Sequence, residues 1–164
     1  MRKALAFALV PMLAIVWVQS AVAQPKRETP YWASISAGQA LMRTGPGKNY
    51  PAKWLYQRAD LPVKVLEVYP SWRKVQDPDG ETGWMLVNLL SDTRTALIRG
   101  QEPRPLREAP QAAARVMFRA EPGVVGRLSE CANNWCRINV GGRRGFISTD
   151  HIWGTNPAET FEGD

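Results

Sequence analysis

From Pro62 to Val68 the chain alternates with a period of two, Lys64 and Glu67 standing polar among valines and Leu66. That is the pattern of a half-buried strand. Two further stretches, Trp72-Arg73-Lys74-Val75 and Trp135-Cys136-Arg137-Ile138, alternate in the same way. Between such runs lie turn sequences with a physical basis. In Asp77-Pro78-Asp79-Gly80 the proline presets φ and the glycine accepts positive φ, and Gly141-Gly142 serves the same end further on. Beyond residue 23 no helical period extends past a single turn, the one candidate being Ala112-Ala113-Ala114. Thirteen glycines and 13 prolines fit many turns and short strands rather than long helices. The predicted class is all-β, in units small enough to be barrels or sandwiches.

The units come in a pair. Two segments align at an offset of about 63 residues, Leu41-Met42-Arg43-Thr44-Gly45-Pro46-Gly47 with Pro105-Leu106-Arg107-Glu108-Ala109-Pro110. About 28 residues after each arginine comes a tryptophan, Trp72 in one and Trp135 in the other, and each opens a strand. Each strand runs through a turn into a glycine–aromatic pair, Gly83-Trp84 and Gly145-Phe146. Each unit closes on a short polar–apolar turn, Val87-Asn88-Leu89-Leu90 and Thr149-Asp150-His151-Ile152. Landmarks in one order at one spacing indicate a duplication. The expected division is a leader over 1–23, a first barrel over 30–92, a second over 93–153 and a polar tail over 154–164. The tail carries Glu159, Glu162 and Asp164 and too little apolar surface to fold by itself. Pro103, Pro105 and Pro110 are expected to stiffen the connection between the units. The same proline segment is also a conceivable ligand for the first unit.

The first residues read as a secretory signal peptide. Arg2 and Lys3 precede an apolar run from Ala4 to Val18, and Ala21-Val22-Ala23 is a small-x-small cleavage site. The rival reading is an uncleaved anchor, but the run of 15 residues falls short of the ~20 that span a bilayer. Cleavage after Ala23 places the mature protein in the periplasm or outside the cell, with no membrane span. No cysteine lies near residue 24 to carry a lipid. Loss of Arg2 and Lys3 takes the formal charge from +6 to +4. This mild, dispersed basic bias suits an acidic partner and is too weak to argue for nucleic acid.

Arginine, Gly-Pro-Gly, Tyr50-Pro51, a strand-opening tryptophan and a closing Gly-Trp together resemble the bacterial Src-homology-3-like domains. The resemblance covers nearly all of residues 30–154 and implies two tandem small Src-homology-3-like barrels. The second unit departs from the pattern: Ala109-Pro110-Gln111 replaces Gly-Pro-Gly, Tyr-Pro is absent and Phe146 replaces tryptophan. The family implies a non-catalytic, extracytoplasmic binding module for cell-wall peptides, the alternative being an envelope protein–protein adaptor without wall affinity.

Cys131 and Cys136 are the only cysteines and flank Asn133-Asn134, a pair suited to a type I′ turn. That turn sets the cysteines opposite each other at a non-hydrogen-bonded position, where Cα atoms lie about 4.5 Å apart. In an oxidising compartment the pair is expected to form a disulfide, with free structural thiols as the alternative. A metal site would need more ligands than one histidine supplies, and a catalytic thiol would have only His151 as its base. No G-x-S-x-G, H-E-x-x-H or phosphate-cradling loop is present. No catalytic residue, metal or cofactor is therefore expected, and residues 24–164 leave no stretch for a separate hydrolase domain.

The candidate ligand contacts are Tyr50, Tyr69, Trp72 and Trp135, aromatics near turns, with Arg43 and Arg107 at matching positions. Either arginine would pair with a ligand carboxylate or anchor its own loop. Arg143-Arg144 replace Glu81-Thr82 and form a basic spot for an acidic polymer or an ordinary solvated turn. Trp54 and Trp84 are expected in the core.

Overall fold

The computed structural model describes residues 27–163, so the expected signal peptide lies outside the described residues. Those residues form two antiparallel sheets, each curled into a small barrel. The first holds β1 (Tyr31–Ile35), β2 (Ala40–Arg43), β3 (Ala52–Tyr56), β4 (Pro62–Tyr69), β5 (Trp72–Gln76), β6 (Thr82–Leu86) and β7 (Leu90–Ser91), with a 3-10 turn at Val87–Leu89. Its order is β3-β2-β6-β5-β4-β1-β7. The second holds β8 (Thr95–Ile98), β9 (Arg104–Arg107), β10 (Val116–Ala120), β11 (Val125–Ala132), β12 (Trp135–Val140), β13 (Arg143–Ser148), a 3-10 turn at Thr149–His151 and β14 (Ile152–Trp153). Its order, β10-β9-β13-β12-β11-β8-β14, repeats the first strand for strand.

The duplication extends to irregularities. The register slips between Val65 and Glu67 in β4 and between Leu128 and Glu130 in β11, the same place in both repeats. A bulge bends and twists a long strand, letting it serve both sides of a small barrel. The glycine of each glycine–aromatic pair also has a reason. A Cβ on Gly83 would lie 2.4 Å from Met42 Cγ, and one on Gly145 would lie 2.9 Å from Leu106 Cβ. Both positions must be bare for β6 to cross β2, and β13 to cross β9, at contact distance.

Each barrel has its own core. Ile35, Met42, Val63, Val65, Val75 and Met85 fill the first, and Ile98, Leu106, Leu128, Ile138 and Ile147 fill the second. Two sequence expectations fail here. Trp84 is half-buried on the outer face of β6, because the inward phase of that strand belongs to Gly83 and Met85. Trp54 is 51% exposed. It pairs with Met42, as a core residue should, but β3 is the edge strand and half of the side chain stays open. The tryptophan packed most deeply is Trp32, set edge-on to Trp153 at 4.7 Å where the barrels meet. Arg127 pairs with Asp60 at 3.3 Å, and Leu97 and Val125 pack against the first core.

The proline segment does not form the connection. Only residues 92–94 separate the sheets, and Pro105 lies within β9, paired with Arg119. The segment is therefore a strand of the second barrel and not a ligand of the first. The tail is docked as well. Residues Phe161–Glu162 form β15 on the free half of β11, opposite Cys131 and Glu130. Glu159 accepts from Arg94 Nη1 at 2.7 Å, Thr155 Oγ1 at 2.9 Å and the Asn156 N–H at 2.8 Å. Burial pushes the Glu159 carboxyl up, but those three hydrogen bonds and the Arg94 charge outweigh it and hold the group below its usual value.

Candidate functional site

Cys131 and Cys136 form a disulfide, Cα atoms 4.1 Å apart, across a turn in which Asn133 and Asn134 both take positive φ. No thiol is thereby left free among the described residues. Nor do those residues contain a group of three or more His, Cys, Asp or Glu side chains placed to hold a metal ion.

The feature that the repeats share is a groove on one flank of each strand-opening tryptophan. In the first barrel it runs between the β2–β3 loop and the 3-10 turn, over Leu41, Arg43, Lys48, Trp72, Leu86 and Leu89, with a volume of about 300 Å³. In the second, Pro105, Arg107, Ala112, Trp135, Ser148 and His151 take the corresponding places around about 270 Å³. The same backbone thus carries two linings. The first places Leu86 and Leu89 beside Trp72, with Lys48 exposed. The second has Ser148 and His151 at those places, with Asp150 beside His151.

Arg43 and Arg107 do the same thing in both. Arg43 Nη1 donates to the Tyr50 carbonyl at 2.8 Å, and Arg107 Nη1 to the Ala114 carbonyl at 2.7 Å. Each guanidinium ties the far end of its loop to the groove floor, so each loop is held open by its own arginine. Tyr50 braces the first loop from within. A Cβ on Gly45 would lie 2.3 Å from the tyrosine ring, and one on Gly47 would lie 2.5 Å from the Asn49 side chain. The second loop has no such ring and needs no glycine, which explains Ala109-Pro110-Gln111.

The other sequence candidates scatter. Trp72 is buried to 7% exposure and serves as groove floor, while Trp135 is half-buried. Tyr69 lies outside the groove, its ring edge-on to Trp84 at 6.3 Å. Arg143 and Arg144 sit at the start of β13, and Ser148, the groove residue, sits at its end. At ~3.3 Å per residue the strand keeps them well apart. Arg143 lies over the Phe118 ring at 4.0 Å and Arg144 is exposed. As groove residues Leu41, Leu86, Lys48 and His151 carry no mark in the sequence, where His151 stands out only as the one available base. Only their repeat partners across the barrels would have marked them, since apolar strand residues give no sign of which face is left open.

Electrostatics follow the linings. Burial, then the Arg104 charge, pushes His151 below its ordinary value, with Arg107 adding to this and Asp150 opposing it. On the β3 rim of the first barrel, Lys53, 2.7 Å away, and then the Trp54 indole hold Glu81 below the usual carboxylate range. Asp77 closes the neighbouring turn, accepting from the N–H groups of Asp79 and Glu81 and from the Tyr56 hydroxyl at 2.8 Å. Burial first and that carboxylate second keep Tyr56 protonated far above its ordinary range.

The sequence signature of the bacterial SH3 domain matches residues 36–92 and again 100–154. Among solved structures, NlpC1 of Trichomonas vaginalis is similar at 15% identity and a TM-score of 0.35, over 84% of this chain and 51% of that one. NlpC2 of the same organism is similar at 16% identity and a TM-score of 0.35, over 79% and 50%. An NlpC/P60 family protein from Bacillus cereus is similar at 12% identity and a TM-score of 0.34, over 80% and 57%. The chain thus spans roughly half the length of the solved structures it matches. No curated protein matches it.

Proposed function

Because the chain belongs to the bacterial SH3 domain family in both of its halves, we propose that it is a non-catalytic binding module of the cell envelope. The groove of the first barrel is the primary site, and its ligand is an extended peptide carrying apolar side chains and a carboxylate, as cell-wall peptides do. The observation that carries this is the duplicated groove itself. Its frame is preserved in both repeats, and in the first it is lined by Leu41, Trp72, Leu86 and Leu89 with Lys48 at the rim. Large, rigid apolar area beside a single cation is what a short acidic peptide requires. The second groove, where Ser148 and His151 replace Leu86 and Leu89, gives weaker or different recognition. Periplasmic or extracellular placement is part of the same reading, supported by the disulfide.

A second reading, an envelope protein–protein adaptor, is favoured by a different observation. Trp54 and Tyr69 of the first barrel each expose about half of their surface outside the groove, and exposed aromatics offer a protein partner large contact area.

Co-sedimentation of the chain from Gln24 onward with isolated peptidoglycan sacculi across a salt series separates the two. Saturable binding that weakens with salt and falls at least ~tenfold in Leu86→Glu, a loss of about 1.4 kcal/mol, supports the groove reading. Arg143→Ala with Arg144→Ala leaves such binding unchanged. Absence of binding at low salt overturns the wall reading and leaves the adaptor, whose partners crosslinking would capture through Trp54.

A further inference from the structure

On its other flank Trp135 borders a second recess, at a place where the repeats differ. In the first barrel Tyr69 stands opposite Trp72 across the turn and sets its ring edge-on to Trp84. In the second, Ala132 stands opposite Trp135, and Phe146 takes the place of Trp84. The missing phenol ring leaves a pocket of about 270 Å³. Its walls include Pro110, Ala132, Trp135 and Phe146, and the docked tail completes it with Glu162 beside Glu130. These two carboxylates face each other across paired strands, where like charges repel unless a cation joins them. Arg137 reaches Glu130 at 3.5 Å, but no salt bridge among the described residues involves Glu162.

We propose that this pocket binds an aromatic side chain that carries, or adjoins, a positive charge, presented by an extended partner peptide. The ring takes the place that Tyr69 fills in the first repeat, edge-on to Phe146 and against Trp135, and the cation joins Glu130 and Glu162 at the rim. Aromatic walls and carboxylates both favour a cation, the walls through their negative π-faces. The site is distinct in face and in ligand charge from the groove, and its reading does not depend on the groove's.

The test uses two small probes with one ring and opposite charges, tyramine and 4-hydroxyphenylacetate, titrated into the ¹⁵N-labelled chain from Gln24 onward with its disulfide intact. Tyramine is expected to shift the Ala132 and Glu162 amides and the Trp135 indole saturably, and the anion to bind about tenfold or more weakly because Glu130 and Glu162 repel it. Ala132→Tyr, which restores the first repeat's residue at an exposed strand position where tyrosine is well tolerated, abolishes the shifts by filling the pocket. Glu130→Gln with Glu162→Gln, both surface changes, makes the two probes equivalent. No saturable shift with either probe overturns the proposal. So does equal response of the unmodified chain to both probes, or undiminished binding by Ala132→Tyr. Leu86→Glu, which tests the groove, leaves the tyramine shifts in place, so failure of one reading is distinguishable from failure of the other.

Discussion

The two barrels close the same corner with different chemistry. At one cross-strand position the first pairs Val68 with Arg73 and the second pairs Cys131 with Cys136. Arg73 reaches the Tyr31 hydroxyl at 3.1 Å and the carbonyls of Tyr69 and Trp72, each at 2.9 Å, so the first corner is a polar lattice. The second corner is covalent and covered. Phe161 of the tail lies over Cys131, and the Arg94 guanidinium lies over the Phe161 ring at 4.4 Å. A barrel of about 60 residues has little core to spare. Each repeat therefore adds something beyond its core, the first a polar lattice and the second a disulfide with a docked tail. Among the described residues the first leaves Leu41, Tyr50, Trp54, Leu55, Tyr69 and Val87 exposed, the second only Val116 and Met117. The first barrel presents more large apolar side chains to its surface than the second does.

The largest test of this contrast is removal of the disulfide. Cys131→Ser with Cys136→Ser is expected to cost about 2 kcal/mol from loop entropy, and more from two hydroxyls placed in a covered corner. Urea unfolding followed at Trp135 should then show the second barrel melting ahead of the first, a separation absent from the unmodified chain. A single coincident transition in both proteins would show that the Trp32–Trp153 contact couples the barrels more strongly than the corner matters.

Next come the paired glycines. Gly83→Ala and Gly145→Ala each overpack a strand crossing, at a cost of about 1–3 kcal/mol. Gly83→Ala should cost more, since its Cβ also meets the Arg43 carbonyl at 2.8 Å whereas Gly145 clears the Arg107 carbonyl by 3.3 Å. Equal losses in thermal melts would mean that the backbone at Arg43 and the Met42 side chain both give way freely.

Glu159→Gln is expected to have a smaller effect, local to the tail: faster amide exchange at Phe161–Gly163 with the barrel unchanged. Because the folded-state carboxyl of Glu159 lies below its ordinary value, the stabilisation it gives is complete above the unfolded value of about 4.3 and is lost as pH falls through the folded one. Tail release on acidification should therefore vanish in the variant. The smallest effect is at His151, whose folded value is depressed. Below an unfolded value of about 6.5 the unfolded chain takes up the proton more readily, so this contribution to stability falls as pH drops from 7. His151→Asn should flatten that part of the stability–pH curve, and an unchanged slope would remove the histidine from account.

Much of this is legible in the sequence alone. Period-two runs, turn residues at fixed offsets and the repeat mark strands, hairpins and a pair of like units because each reflects a local constraint: pleat alternation, φ preference, and a hairpin that sets its own register. The hairpin disulfide belongs to the same class, since a two-residue turn dictates which residues face each other. What lay beyond reach depends on contacts between segments distant in the chain. Trp54 has the right phase for a core residue, yet edge position leaves it bare, and edge position is a property of the sheet. The phase of Trp84 is hidden because its neighbour is a glycine, whose inward direction has no side chain to reveal it. Arg143 and Arg144 read as a basic spot or an ordinary solvated turn, and the length of β13 sets them apart from the groove. The tail reads as too polar to fold and is so by itself; it is ordered by Arg94, 65 residues away in sequence. Local chemistry along the chain specified the two barrels. Which faces stayed open, and which a neighbour covered, only the tertiary packing could decide, because burial is a relation between segments and no single stretch of sequence contains it.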